Sequence, residues 1–386
     1  MGTSTIASTM SSTISSTTNV TSNGTSIATT LSSTMSSIVS SISSTSLSST
    51  IASTTANVTG GCNTTDPSPQ MAVFISLWYS LVFLFGLIGN ALVILVLIKY
   101  KRLRIMTNIF LFNLALGDLL LIFTLPFWIH FHSGGTGGWD ADHHMCKFIV
   151  GLCNVALYSE VLFIILLTLD RYLAVVYAVA YRLVRVVPIG ILASILAWFL
   201  AVLGTMPEFI FYESNNATGR GVCQASYTDF WKGVDVTSMT MVTLILPLII
   251  MAFCYWKIIK VLLKAHNRSK NLHAVKLILI MVVLYFVFWI PYNVLLILHT
   301  YQEAIFGPDC EARRRVDMAL LVAEMIACTH CCVNPVIYAF VGEKFQQNLQ
   351  DLTRQVRGSL HRVLRSSEPR TPTGSRRRQL EEETRL

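Results

Sequence analysis

The sequence predicts an all-α membrane protein: a seven-transmembrane helix bundle with its N-terminus extracellular, its C-terminus cytosolic and a short amphipathic helix after the seventh span. Three observations carry that prediction. Only 13% of the 386 residues are charged while 53% are hydrophobic, with mean hydropathy +0.57, whereas soluble domains carry about 25% charged residues. Seven apolar segments are each long enough to cross a hydrocarbon core of about 30 Å, which takes about 20 helical residues. Lys and Arg gather on alternate connections between them, which the positive-inside rule makes the cytosolic ones.

Taken in order, residues 1–70 form an N-terminal stalk. Met1 to Gly61 contains no Asp, Glu, Lys or Arg and is largely Ser and Thr, so it cannot bury enough apolar surface to fold and is expected to be disordered and O-glycosylated. Asn-x-Ser/Thr acceptors at Asn19, Asn23, Asn57 and Asn63 fit lumenal exposure. No basic stretch followed by an apolar one precedes them, so the first span is expected to direct insertion itself. The bundle occupies residues 71–341, with spans near 72–99, 108–132, 144–178, 187–207, 233–263, 273–300 and 316–340. Lys99, Lys101, Arg102 and Arg104 follow the first span, Arg182 and Arg185 the third, and a run from Lys257 to Lys276 the fifth. Residues 342–386, rich in Arg, are therefore cytosolic, and the acceptor at Asn216 is extracellular.

The net charge of +8 does not mark a nucleic-acid binder, because the basic residues flank apolar runs instead of forming a basic domain. Nine cysteines scattered through apolar stretches are expected mostly as membrane-embedded free thiols. An ionisable residue inside a span costs about 2.5–3.5 kcal/mol on insertion scales, which singles out Asp118, Glu160, Asp170, Arg171 and Glu324. Each alone is as well explained by a backbone group or water that holds helices in register. Their joint pattern is not.

Asp170-Arg171-Tyr172 closes the third span and Asn334-Pro335-Val336-Ile337-Tyr338 the seventh. Gly89-Asn90, Asp118, Trp198, Pro247 with Tyr255, and Trp289-Ile290-Pro291 mark the remaining five in order. One such motif would be weak evidence; the ordered set resembles the rhodopsin-like G-protein-coupled receptors. Pro247, Pro291 and Pro335 each remove a backbone hydrogen bond and kink a helix, creating hinges. The resemblance implies that Asp170 holds Arg171 at rest, and that Arg171 swings toward Tyr255, Tyr338 and a G protein on activation. It also implies a wet pocket near Asn90, Asn334 and His330, where Asp118 and Glu160 face each other across a sodium ion or a shared proton. Asn271 stands where this superfamily often has an acid that restrains the Arg, so ligand-free signalling is expected.

Thr124-Leu125-Pro126-Phe127-Trp128, Glu324 six residues before His330-Cys331-Cys332-Val333-Asn334-Pro335, and the run from Asp170 to Val179 narrow the resemblance to chemokine receptors. Leu157-Tyr158-Ser159-Glu160 makes it most similar to the CC class of eotaxin-receptor type. Four outer cysteines, Cys62, Cys146, Cys223 and Cys310, permit three pairings; the resemblance implies Cys146–Cys223 and Cys62–Cys310. It implies a CC chemokine, a small basic protein, as ligand, with Glu324 meeting its N-terminal amine and Tyr79, Trp128, Trp139 and Tyr292 as apolar walls. From Asp66 onward the outer side carries eleven acids against six bases, a field that steers a basic ligand inward. No tyrosine precedes Tyr79, where chemokine receptors usually carry sulfatable ones. Such a stalk on an intact bundle is similar to the chemokine-receptor homologues encoded by herpesviruses of the equine gammaherpesvirus type, which implies a viral origin and a host-cell plasma membrane.

The partners implied are a heterotrimeric G protein of the inhibitory class, and arrestin reading phosphates at Ser366, Ser367, Thr371, Thr373 and Ser375. Membrane lipid lies under the amphipathic helix that starts at Gly342, with Phe345, Leu349 and Leu352 on one side. A PDZ protein fits Thr384-Arg385-Leu386. No cofactor is called for. An intramembrane protease is disfavoured, since no His-Glu-x-x-His or Gly-x-Gly-Asp motif occurs, and a transporter would need inverted repeats. A decoy that takes up chemokine without G-protein signalling is the remaining alternative, against which the intact Asp170-Arg171-Tyr172 argues.

Overall fold

The computed structural model describes residues 69–367 except 101, 133–142, 179–180, 182–185, 216–221, 227, 265–268 and 342. Asn19, Asn23, Asn57, Asn63, Asn216, Cys62, Trp139 and the Thr384-Arg385-Leu386 terminus lie outside the described residues, as do the side chains of Cys223 and Asn271. All described residues belong to one unit, Cys62–Leu386.

Seven helices are long and apolar enough to cross a membrane: span 1 (Pro69–Lys99), span 2 (Met106–His130), span 3 (His144–Val176), span 4 (Val187–Phe211), span 5 (Phe230–Leu263), span 6 (Val275–Thr300) and span 7 (Cys310–Phe340). Their ends fall within three residues of the expected ones except at two places. Span 4 continues four residues further, to Phe211, because Pro207 sits in the first turn of a new helical segment, where its missing N–H costs nothing. Span 7 starts six residues earlier, at Cys310, because the Asp309 carboxylate caps it by accepting from the backbone N–H groups of Glu311 and Ala312 at 3.1 and 3.0 Å. Its first turns are charged, with Arg313 paired to Glu303 at 2.9 Å and Arg315 to Glu311 at 3.3 Å, so hydropathy alone does not reveal them.

Between spans 4 and 5 an antiparallel hairpin pairs β1 (Tyr212–Asn215) with β2 (Val222–Ala225), setting Ser214 opposite Cys223. It is the one departure from all-α structure among the described residues. The helix after span 7 runs from Glu343 to Ser367, 25 residues, and so is much longer than the short helix expected. Its apolar side is the expected one: Leu352 is buried, and Phe345 packs on Tyr338 with ring centroids 6.2 Å apart.

The interior is filled by large apolar side chains such as Phe110, Leu121, Ile122, Phe163, Ile164 and Met251, while Leu77, Phe85, Leu192, Phe199 and Ile249 face outward and exposed. Helices apolar on both sides belong in lipid. Span 1 sits tightly on its neighbours. A methyl group added at Gly86 would lie 2.7 Å from Ile122 Cδ1, which would have to give way, and one at Gly89 would lie 2.9 Å from the rigid ring of Pro335 at Cβ, so there only glycine permits the approach.

Candidate functional site: a half-buried acid cluster, a polar core and a clamped arginine

Three clusters line up along the bundle. At the end bearing Cys146 and Cys310, both disulfide-bonded, the half-buried Glu324 carboxylate lies within electrostatic reach of Tyr79 on span 1, Cys153 on span 3, Tyr292 on span 6 and Cys328 on its own helix. Tyr79 is packed into the core at 1% exposure, whereas Tyr292 is half-buried and stands edge-on to Trp289 at 5.6 Å. Trp128 joins through a side-chain hydrogen bond with Cys153. Tyr212 completes the group from β1. Burial, with help from the carboxylates of Asp235, Glu208 and Glu324, pushes its phenol above the ordinary value, so it is a neutral hydrogen-bonding group. Neither Cys153 nor Tyr212 was expected here. Cys153 follows Cys146 by seven residues, two helical turns down the same face, which is a usable signal; Tyr212 offers none.

The second cluster repairs what the prolines break. Pro335 has no N–H for the carbonyl of Cys331, four residues back; Asn90 Nδ2 donates to that oxygen at 2.9 Å and to Gly86 O at 3.1 Å. Pro247 strips the carbonyl of Thr243 in the same way, within a π-helical turn, Met241–Ile245. Tyr285 Oη donates to that oxygen at 2.6 Å. Such relief keeps a kink tolerable in lipid. Around these hinges Asn334 Nδ2 donates to Asp118 Oδ2 at 2.9 Å, and Glu160 pairs with His330 Nδ1. Asp118 and Glu160 are within electrostatic reach, yet each has its own partner. His330 is enclosed by Tyr285 and Phe288, both edge-on at 5.7 and 5.6 Å. Among the described residues no three His, Cys, Asp or Glu side chains are arranged to hold a metal ion. Asn90 Oδ1, Asp118 Oδ1, Asn334 Oδ1, His330 Nε2 and Trp289 Nε1 have no protein partner there.

At the opposite end stands the third cluster. Asp170, 1% exposed, accepts from Thr107 Oγ1 at 2.7 Å and from the Tyr181 hydroxyl, and pairs with Arg171 Nη2 at 3.2 Å. Arg171 Nη2 in turn donates to Thr107 Oγ1 at 2.5 Å, leaving its Nε without a partner. Tyr255 and Tyr338 are buried close to this end. Thr107 and Tyr181 are the residues that sequence motifs missed, since each meets Asp170 only through the fold. Pro291 lies inside span 6 two residues after Trp289, and Tyr172 packs outward on Phe253 at 6.1 Å.

The chain matches the 7 transmembrane receptor (rhodopsin family) over residues 89–338. It belongs to that family, in its CC chemokine receptor branch. It is 48% identical to C-C chemokine receptor type 3 of Macaca mulatta over 293 residues, 75% of this chain and 82% of the macaque receptor. It is 45% identical to C-C chemokine receptor type 1 of Homo sapiens over 278 residues, 71% and 78% of the two chains. A viral protein, G-protein coupled receptor E1 of Equine herpesvirus 2 (strain 86/87), is 42% identical over 292 residues, 75% and 76%. The protein is thus a multi-pass plasma-membrane receptor and not an enzyme.

Proposed function

We propose that the protein binds CC chemokines at the Glu324 end and passes the signal to heterotrimeric G proteins of the inhibitory class, raising cytosolic calcium. The observation that carries this is a chain of polar and aromatic contacts leading from Glu324 into the middle of the bundle. It runs from Glu324 past Tyr292, Trp289 and Tyr285 to the His330, Asn334 and Asp118 core; beyond that core, at the opposite end, Arg171 is clamped but intact. The loop charges and the Asn-x-Ser/Thr acceptors support an orientation with the Glu324 end and the stalk outside and Arg171 in the cytosol. Glu324 then meets the ligand's N-terminal amine. The disulfides Cys146–Cys223 and Cys62–Cys310 tie the hairpin to span 3 and the stalk to span 7.

The deciding experiment is a panel of CC chemokines read in parallel by calcium flux and by receptor internalisation. Calcium release that is abolished by inactivating the inhibitory G protein is expected. Uptake without calcium for every bound chemokine would make the protein a decoy instead. Losing Cys62 or Cys310 should mainly lower chemokine affinity, because in this reading that bridge positions the N-terminal stalk and not a helix, while losing Cys146 or Cys223 should lower surface expression.

A further inference from the structure

Spans 3 and 5 end side by side at the Arg171 end in a patch that the activation chain does not use. Phe253 and Trp256 stand one turn apart on span 5, each 50% exposed, with centroids 6.4 Å apart. The Lys260 ammonium sits 4.0 Å from the centre of the Trp256 ring, and the Lys257 ammonium 5.0 Å from the same ring and 5.7 Å from Phe253. Tyr172 touches Phe253 and lies edge-on to the exposed Tyr177 at 5.8 Å. Among the described residues neither lysine is paired with a carboxylate.

Lysines near a span's end ordinarily extend their flexible stems into the headgroup layer. Here one indole holds both ammoniums by cation–π attraction, which is strongest for Trp, so two positive charges are fixed side by side and little side-chain entropy remains to be lost on binding an anion. Toward the middle of the bundle the same face of span 5 is bare hydrocarbon: Ile249 is 62% and Leu246 51% exposed. A pair of fixed cations above an apolar stripe matches an amphiphile with an anionic head. A soluble anion satisfies only the cations, and a soluble protein reaches the cations but leaves the stripe uncovered.

The geometry points to a binding site for an anionic phospholipid, its phosphate held between Lys257 and Lys260 and its acyl chain lying along Phe253 and Ile249. Tyr172 follows Arg171 in the chain and packs on Phe253, so an occupied site stiffens the backbone that carries the arginine and makes coupling lipid-dependent. Which leaflet supplies the lipid rests on the orientation proposed above; the binding itself does not.

The test uses the full-length receptor in nanodiscs of phosphatidylcholine with or without phosphatidylserine. Both faces present lipid, so a wrong orientation does not affect the result. Native mass spectrometry should find phosphatidylserine retained several-fold over phosphatidylcholine, and this preference lost in Lys257→Gln/Lys260→Gln and weakened in Trp256→Leu. Arg354→Gln/Arg357→Gln on the terminal helix should leave it largely in place. Inorganic phosphate at millimolar concentration should not displace the lipid, and the lysine variant's deficit in GTP exchange should appear only in discs that contain phosphatidylserine. Four results overturn the site: equal retention of both lipids, loss only with the arginine pair, displacement by phosphate, or an equal deficit in pure phosphatidylcholine, which would give the lysines to the G protein.

Discussion

Around Asp170 both carboxylate oxygens are met by the protein itself, through Thr107, Tyr181 and Arg171. Around Asp118, halfway along the bundle, one oxygen is met by Asn334 while its twin and atoms of Asn90, Asn334, His330 and Trp289 have no protein partner among the described residues. The first cluster is a clamp that opens by giving up a charged pair all at once. The second can exchange partners one at a time, and a buried polar group without a partner costs about 1–3 kcal/mol. The difference teaches where a switch of this kind is soft: rearrangement is cheapest in the middle, and the clamp sets the threshold.

The comparison breaks most visibly at Asp170. Asp170→Asn leaves the Arg171 guanidinium, 16% exposed, without its counter-ion, and removing one side of such a pair costs about 3–5 kcal/mol. Ligand-free GTP exchange should rise several-fold while the thermal midpoint falls; exchange and midpoint both at wild-type values would show that the clamp holds nothing. Tyr285→Phe comes next. It orphans the Thr243 carbonyl at the span 5 kink and should cost about 1–3 kcal/mol of thermal stability, measured on the receptor in nanodiscs. An unshifted midpoint would mean that the π-helical turn needs no external donor.

Glu324→Gln tests whether signal enters the soft region from the Glu324 cluster. Agonist potency should fall about tenfold, equivalent to about 1.4 kcal/mol, while total chemokine binding changes less; unchanged potency for all agonists removes Glu324 from the path. The smallest effect concerns the core itself. Because His330 already faces Glu160, replacing sodium by choline should change chemokine affinity by less than about twofold, or about 0.4 kcal/mol. A tenfold shift would put sodium between Asp118 and Glu160 after all.

Much of this was legible in the sequence, for physical reasons. Hydropathy located all seven spans, because burial in lipid demands long apolar runs whatever the neighbours. It failed at Cys310, where a capped helix begins in charged residues, and at the Tyr212–Ala225 hairpin, whose four-residue strands are too short and mixed to show an apolar alternation, although the Asn- and Gly-rich residues 215–221 between them are a turn signal. The terminal helix was underestimated even though its stripe continues through Val356, Leu360 and Val363 with no proline before Pro369. Motifs supplied Asp118, Arg171, Glu324 and Asn334. They did not supply Thr107, Tyr181 or Tyr285, which gain their roles by meeting a group about 11 to 63 residues away, and no local pattern encodes such a meeting.

The contact between Gly89 and Pro335 has a mechanical consequence. Gly89 lies twenty residues below Pro69, about 30 Å along a rigid helix. A helix barely stretches, so any load on the chain before Pro69 travels down span 1 as down a push-rod. It is delivered, with a gap too small for a methyl group, against the bend of span 7.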